Sequence, residues 1–216
     1  MKKFLLLAMC ASMLLTQEAQ DTIKDILKEA DTSPSPVIAQ TNPPRFDDFE
    51  NITNTFQIRN LRTGIPINVR RNGDFNSQNW QLRQFQLRGE LLKKDKLRDK
   101  WDFGYVQFVE PGKRDNCLVI AESGFLEIKS CLADLQSGKL ESVFSIIPTS
   151  SGAVQIRSLV LDSNECLSMF DNPQIPEYKR IGILPCTLDF DTYIDTTQLF
   201  FFTPPLMRAS ALKPKN

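Results

Sequence analysis

The chain has 216 residues and balances 26 basic against 26 acidic side chains, so its formal net charge is zero. A neutral chain has no long-range field, so only a local patch could attract a nucleic acid or an anionic membrane, and we expect no nucleic-acid partner. The sequence contains no histidine, which excludes Ser-His and Cys-His nucleophile pairs, a histidine general base and histidine metal ligands, and we therefore expect no enzyme.

The N-terminus has the features of an export signal. Lys2 and Lys3 are followed by an apolar run that starts at residue 4. This run is too short to span a bilayer, which takes about 20 residues. We expect a signal peptide over residues 1–19, export to the periplasm, and then secretion or association with the outer membrane. The alternative for this segment is lipidation at Cys10.

Residues 20–52 form a tail of different composition. Apolar residues at helical spacing predict a short helix near its start, and they are Ile23, Ile26, Leu27 and Ala30. Residues 31–45 contain Ser-Pro-Ser-Pro and a Pro-Pro pair, which is typical of extended, unpacked chain. The tail is therefore either a disordered leader or a segment that becomes ordered on a protein partner, with Ile23, Ile26 and Leu27 as its anchors.

Short β-rich runs separated by turn residues begin near residue 53. The runs include residues 56–58, 105–108, 118–120 and 154–156, and turns are predicted at 71–74, 110–113 and 122–124. Regular short strands of this kind favour a barrel or a sandwich over a sheet of alternating strands and helices. We predict one all-β domain over residues 53–205, followed by a C-terminal tail over residues 206–216.

Two marks recur three times within this domain, in the same order. The first mark is a glutamine at the start of a strand, and it occurs at Gln57, Gln107 and Gln155, with spacings of 50 and 48 residues. The second is a late triplet that ends in an aromatic residue. The three triplets run from Gln78 to Trp80, from Ser142 to Phe144 and from Gln198 to Phe200. Two marks that recur in phase indicate an internal three-fold repeat.

Four cysteines remain once the predicted signal is removed, and an even number in an exported chain favours disulfides. They are Cys117, Cys131, Cys166 and Cys186. Of the three possible pairings, the repeat selects Cys117–Cys131 and Cys166–Cys186, one within each of the last two units. Closing loops of this size would stabilise the fold by about 3 kcal/mol each in the chain-entropy model.

Metal-binding patterns are weak. The chain has no Cys-x-x-Cys pair, so zinc is a poor alternative to the disulfides. Asp189, Asp191 and Asp195 alternate with aromatic residues as in a strand or a loop, and we do not interpret them as a calcium site. We predict no metal and no cofactor.

Units of about fifty residues with a late Gln-x-Trp resemble the ricin-type β-trefoil lectins. The resemblance implies a β-trefoil in which Trp80, Phe144 and Phe200 fill the three-fold core. Three longer strings, over residues 103–108, 138–149 and 153–161, resemble the C-type subunits of the cytolethal distending toxins, closest to the Campylobacter and Helicobacter branch. The resemblance extends from residue 56 to residue 205. The related A-type subunits are the nearest alternative.

This resemblance implies a function. In the family, the A-type and C-type subunits are lectin-like, bind the target cell and carry the B-type subunit, which is a DNase I-like nuclease. The chain would then be a non-catalytic binding and delivery subunit of a heterotrimer with one A-type and one B-type partner. Its tail occupies the place from which C-type subunits of the family contact the nuclease. A host cell-surface glycan or a membrane receptor would be its external partner.

The sugar pockets of such lectins are expected to be degenerate here. Ser77 and Thr197 stand beside the first and third triplets, where a polar sugar ligand is common, but no aspartate lies next to the first-strand glutamines. A cholesterol-recognition pattern around Tyr105 is not met, and Tyr105 is interpreted as a strand core residue. Arg157 and Arg180 are interpreted as solvated surface. A free-standing secreted lectin remains the second hypothesis.

Overall fold

The computed structural model describes residues 52–70, 75–101, 103–160 and 164–207. The predicted signal peptide, Cys10, the tail anchors Ile23, Ile26 and Leu27, the turn at 71–74 and the chain beyond residue 207 lie outside the described residues.

Ten strands carry the fold of the described residues. They are β1 (Gln57–Asn60), β2 (Gln81–Phe85), β3 (Tyr105–Val109), β4 (Asn116–Ile120), β5 (Leu126–Ser130), β6 (Phe144–Pro148), β7 (Val154–Ser158), β8 (Glu165–Met169), β9 (Ile181–Pro185) and β10 (Phe200–Thr203). Two short α-helices, α1 (Gly89–Lys93) and α2 (Cys131–Ser137), follow β2 and β5. Single 3-10 turns cover Phe75–Gln78, Glu177–Lys179 and Thr196–Gln198.

Six of the strands close into a ring. Every pair is antiparallel, and the order is β1, β10, β7, β6, β3 and β2. The ring closes beside β1 and β2, where Phe56 and Trp80 exchange backbone hydrogen bonds of 2.9 and 2.8 Å. A closed ring leaves no open sheet edge among these six strands.

The same strand contact occurs once in each unit. The late aromatic residue is always the register partner of the residue before the first-strand glutamine. The three pairs are Phe56 with Trp80, Val106 with Phe144, and Val154 with Phe200. The three-fold repeat in the sequence therefore corresponds to a strand contact that recurs three times in the ring.

Two hairpins, β4–β5 and β8–β9, complete the last two units. In the first unit the described residues hold no matching hairpin. There Ile67 lies fully buried, and its carbonyl oxygen accepts a hydrogen bond of 3.2 Å from the indole N–H of Trp80. The architecture is an all-β trefoil with one irregular unit.

The core is centred on the late aromatic residues. Trp80, Phe144 and Phe200 are at most 1% exposed, and the Phe108 ring lies 5.4 Å from the Phe144 ring. Burying a ring of this size contributes about 2 kcal/mol or more through the hydrophobic effect. The structure therefore gives these residues a packing role.

The structure joins Cys117 to Cys131 and Cys166 to Cys186, the pairing that the repeat selects. The first disulfide links β4 to the first residue of α2, and the second links β8 to the segment that follows β9. Each one therefore closes the base of a hairpin.

A second apolar cluster packs the two helices against the strands. Its buried members are Phe85, Leu87, Leu135, Leu140, Val143 and Leu159, and Leu91, Leu92 and Tyr105 pack against them. Tyr105 is thus half-buried, at the edge of this cluster. Among the described residues, no helix combines the length and the apolar character that a membrane crossing requires.

Truncating a ring in the core should destabilise the protein, whereas truncating an exposed ring should not. Phe144→Ala is expected to lower the free energy of unfolding by about 3–5 kcal/mol, because it removes buried apolar surface and leaves a cavity. The matched control is Phe190→Ala, since Phe190 is 90% exposed, and it should change stability by less than about 0.5 kcal/mol. Urea unfolding with the disulfides intact measures both values, and equal losses would contradict the core assignment.

Candidate binding surface

The two repeat marks contact each other inside the fold. Gln57 donates a hydrogen bond of 3.4 Å to Gln78, and Gln107 donates one of 2.8 Å to Ser142. In the third unit Thr187 connects the marks: its backbone N–H donates to Gln155 and its hydroxyl to Gln198, both at 3.2 Å. All three first-strand glutamines are at most 2% exposed. These polar residues therefore hold each unit together.

The positions where a ricin-type lectin holds its sugar are also engaged in the fold. Ser77 is 4% exposed. In the second unit, Glu141 occupies the corresponding position and accepts a hydrogen bond of 2.7 Å from Lys129. In the third, the backbone N–H and the hydroxyl of Thr197 both donate to Asp195 at 2.8 Å. These three positions therefore take part in the packing and hydrogen bonding of the fold.

A surface group of aromatic rings is a candidate binding site. Trp101 and Phe103 stack with ring centroids 5.6 Å apart, and Phe190 lies 5.7 Å from Trp101. We call these three residues the aromatic cluster. Phe190 is 90% exposed, and Tyr193 on the same loop is fully exposed. Large apolar side chains that project into solvent are typical of binding surfaces in soluble proteins.

A buried ion pair anchors the segment that leads to Trp101. Arg157 on β7 donates to both carboxylate oxygens of Asp95, at 2.9 and 2.8 Å, and both side chains are at most 1% exposed. The Tyr105 hydroxyl donates a further hydrogen bond of 2.9 Å to Asp95. The sequence-based expectation that Arg157 is solvated was wrong, because its charge is matched inside the protein.

The electrostatics of Asp95 follow from these contacts. Burial alone would raise the pKa of its carboxyl group. Hydrogen bonds from Arg157, the Leu97 backbone N–H and Tyr105, together with the Arg157 charge, outweigh burial and hold the pKa of Asp95 below its usual value. Asp95 is therefore ionised whenever the protein is near neutral pH.

Local hydrogen bonds shape the loop that carries Phe190 and Tyr193. Asp189 accepts from the backbone N–H of Asp191, and Asp195 accepts from Thr197, which lowers the pKa of Asp195. These carboxylates thus act as turn acceptors. Among the described residues, no three His, Cys, Asp or Glu side chains are grouped to hold a metal ion.

The aromatic cluster suits recognition rather than bond-making chemistry. Its rings can stack on the apolar face of a sugar or enter an apolar pocket of a protein. Neither Trp101 nor Phe190 was identified from the sequence as a binding residue. They are 89 residues apart in the chain, so no local pattern signals their contact.

Comparison with known proteins agrees with this fold. The model of the cytolethal distending toxin A/C domain family matches residues 55–213. The chain is similar to solved structures of the cytolethal distending toxins from Haemophilus ducreyi (21% identity, TM-score 0.54) and Actinobacillus actinomycetemcomitans (22%, 0.53). Each alignment covers 85% of this chain and 100% of the matched chain. No curated protein sequence matches the chain.

Removing the buried carboxylate should destabilise the protein in a pH-dependent way. At pH 7, Asp95→Asn is expected to lower the free energy of unfolding by about 3–5 kcal/mol, because Arg157 is left buried without its counter-charge. The folded-state pKa of Asp95 is lowered. The contribution of its carboxylate to the free energy of unfolding is therefore complete above the ordinary pKa of about 3.9 and is lost as pH falls through the folded-state pKa. The difference in the free energy of unfolding between wild type and variant should therefore become smaller at acidic pH.

The matched control for Asp95 is Asp99→Asn. The Asp99 side chain is 90% exposed and pairs with Arg98 at 3.2 Å, so its removal should cost about 0–1 kcal/mol. Denaturant unfolding from pH 7 down to pH 3 measures both variants. A loss for Asp95→Asn that stays constant over this range would contradict the ion-pair assignment.

Proposed function

Because this chain belongs to the cytolethal distending toxin A/C domain family, we propose that it is a non-catalytic binding and delivery subunit of a multi-subunit toxin. The observation that carries the proposal is the match over residues 55–213, which includes all ten described strands. The protein is exported by its N-terminal signal and helps to attach the toxin to the host cell.

Within the family, we assign the chain to the C-type subunits rather than to the A-type subunits. The support is the resemblance of residues 103–108, 138–149 and 153–161 to the C-type sequence pattern. In this role the chain joins a heterotrimer with an A-type partner and with the DNase I-like nuclease, the B-type partner. The tail that carries Ile23, Ile26 and Leu27 is its contact with the nuclease.

The composition and the fold support a role without catalysis. The chain has no histidine, on which the acid–base chemistry of a DNase I-like site depends. Each buried carboxylate of the described residues is engaged by cations or backbone N–H groups of the fold, and these are Asp95, Glu110, Asp134 and Glu141. The aromatic cluster supports a role in recognition, and we assign it to the host-cell receptor.

The assembly role is tested by co-purification. The chain without residues 1–19 should elute with the A-type partner and the nuclease from the same organism as one complex on size-exclusion chromatography. Deleting residues 20–45 should reduce the recovery of the nuclease while the A-type partner is retained. A chain that stays monomeric with both of these proteins, yet binds glycans alone, would favour the free-standing lectin.

The receptor role is tested on the assembled toxin. The variant Phe190→Ala/Tyr193→Ala should weaken attachment to host cells by about tenfold, because exposed aromatic residues often dominate the energy of an interface. The control Leu61→Ala/Met207→Ala removes two other exposed apolar side chains and should leave attachment unchanged. Flow cytometry measures attachment, and size-exclusion chromatography measures assembly. Loss of assembly in the aromatic variant would make the cluster an interface within the toxin and contradict the receptor role.

A further inference from the structure

A cleft rimmed by lysines lies between the two short helices. Its volume is about 430 Å³, within the range of about 300–1,000 Å³ that is usual for small-molecule sites. The rim consists of Lys93, Lys94, Lys96 and Lys139, and the remaining lining residues are Ser137, Gly138, Leu140 and Leu159. We call this site the lysine cleft. It shares no residue with the aromatic cluster.

We propose that the lysine cleft binds an anionic saccharide, a sugar unit that carries a sulfate or phosphate ester. The inference goes beyond the assembly and receptor roles, because it concerns a separate site and a defined ligand chemistry. It depends on the position of the lysines, the floor of the cleft and the local balance of charge.

The C-terminal ends of α1 and α2 bring the lysines together. Lys93 ends α1, and Lys94 and Lys96 follow it. Lys139 follows Gly138, whose left-handed backbone (φ +69°) ends α2. The Lys94 ammonium group donates to the Gly138 carbonyl oxygen and so joins the two ends.

The floor of the cleft is aliphatic and rigid. Leu140 and Leu159 are at most 3% exposed and belong to the second apolar cluster. Leu140 has a positive φ of 58°, which is unusual for a leucine. Asp134 holds the next turn, since it accepts hydrogen bonds from the backbone N–H groups of Glu141 and Ser142 at 3.0 and 2.8 Å. Above these buried leucines, the aliphatic stems of the rim lysines supply the accessible apolar surface for a sugar ring.

Two buried carboxylates close to these lysines in the chain pair with cations outside the rim. Asp95 lies between Lys94 and Lys96 but pairs with Arg157. Glu141 pairs with Lys129 at 2.7 Å. Asp95 therefore does not offset the charge of the rim, whereas Glu141 and the buried Asp134 offset part of the charge of Lys139.

Two acidic neighbours of the rim are exposed and can be exchanged. Lys93 pairs with Glu90 at 2.6 Å, and Lys139 pairs with Glu122 at 2.8 Å. All four of these side chains are more than half exposed, and such pairs contribute little to stability. A sulfate or phosphate group can take their place, because lysines bind these anions as point charges.

Binding is tested by calorimetry on the full mature chain. The probes are a sulfated heparin disaccharide, glucose 6-phosphate, an unsulfated disaccharide, and inorganic sulfate and phosphate. We expect saturable binding of at least one ester-bearing sugar that weakens with salt, and weaker binding of the inorganic ions and the uncharged sugar. Equal binding of sugar ester and inorganic ion would contradict the saccharide assignment, and saturation by no probe would overturn the proposal.

Two double variants locate the site. Lys93→Gln/Lys139→Gln should weaken binding by about tenfold, because charge-assisted contacts are lost. Lys113→Gln/Lys179→Gln removes the same charge from exposed positions outside the cleft and should change binding by less than about twofold. Equal losses of affinity in the two variants would show that binding depends only on net charge, and would contradict the assignment of the site to the cleft.

Chemical protection gives a readout that does not depend on variants. Acetylation of surface lysines, followed by mass spectrometry, should show Lys93, Lys96 and Lys139 protected by the bound probe. Lys113 and Lys179 should react equally with and without it. Unchanged reaction at the cleft lysines would contradict the proposal. Because the isolated chain is used throughout, failure to assemble into a toxin complex would leave these results unaffected.

Discussion

The buried ion pair between Asp95 and Arg157 anchors the segment that contributes to both surface features of this trefoil. Removing two charges from water costs several kcal/mol each, and only close, fully bonded geometry offsets that cost. Here Arg157 contacts both carboxylate oxygens of Asp95, and Tyr105 supplies a further donor. We infer that the pair holds its segment in one position, because breaking it would leave a buried charge uncompensated. The segment that it fixes carries Trp101 and three of the cleft lysines.

The repeated parts of the molecule and its surface features occupy different residues. The glutamines and aromatic residues that recur in each unit close the ring and lie inside it. The aromatic cluster and the lysine cleft instead use the connection between β2 and β3, the loop after β9 and the end of α2. These connections differ in structure from unit to unit, whereas the strand pairing of the ring recurs.

Much of the fold could be predicted from the sequence, because its signals are local and repeated. The marks at Gln57, Gln107 and Gln155 indicated the three-fold repeat, and the same frame gave both disulfide pairs. Helix α2 was missed, although Ser130 is a typical N-cap and Gly138 a typical C-terminal glycine. Those two signals would have been sufficient to find it.

The binding surfaces could not be predicted in the same way, for a physical reason. Asp95 and Arg157 are 62 residues apart, and a sequence records neither burial nor the partner of a charge. Each residue alone is best interpreted as solvated, because unpaired charges are rarely buried. Once paired, they place lysines beside a carboxylate whose charge is already satisfied. A neutral chain can therefore present a locally basic cleft, which composition alone does not indicate.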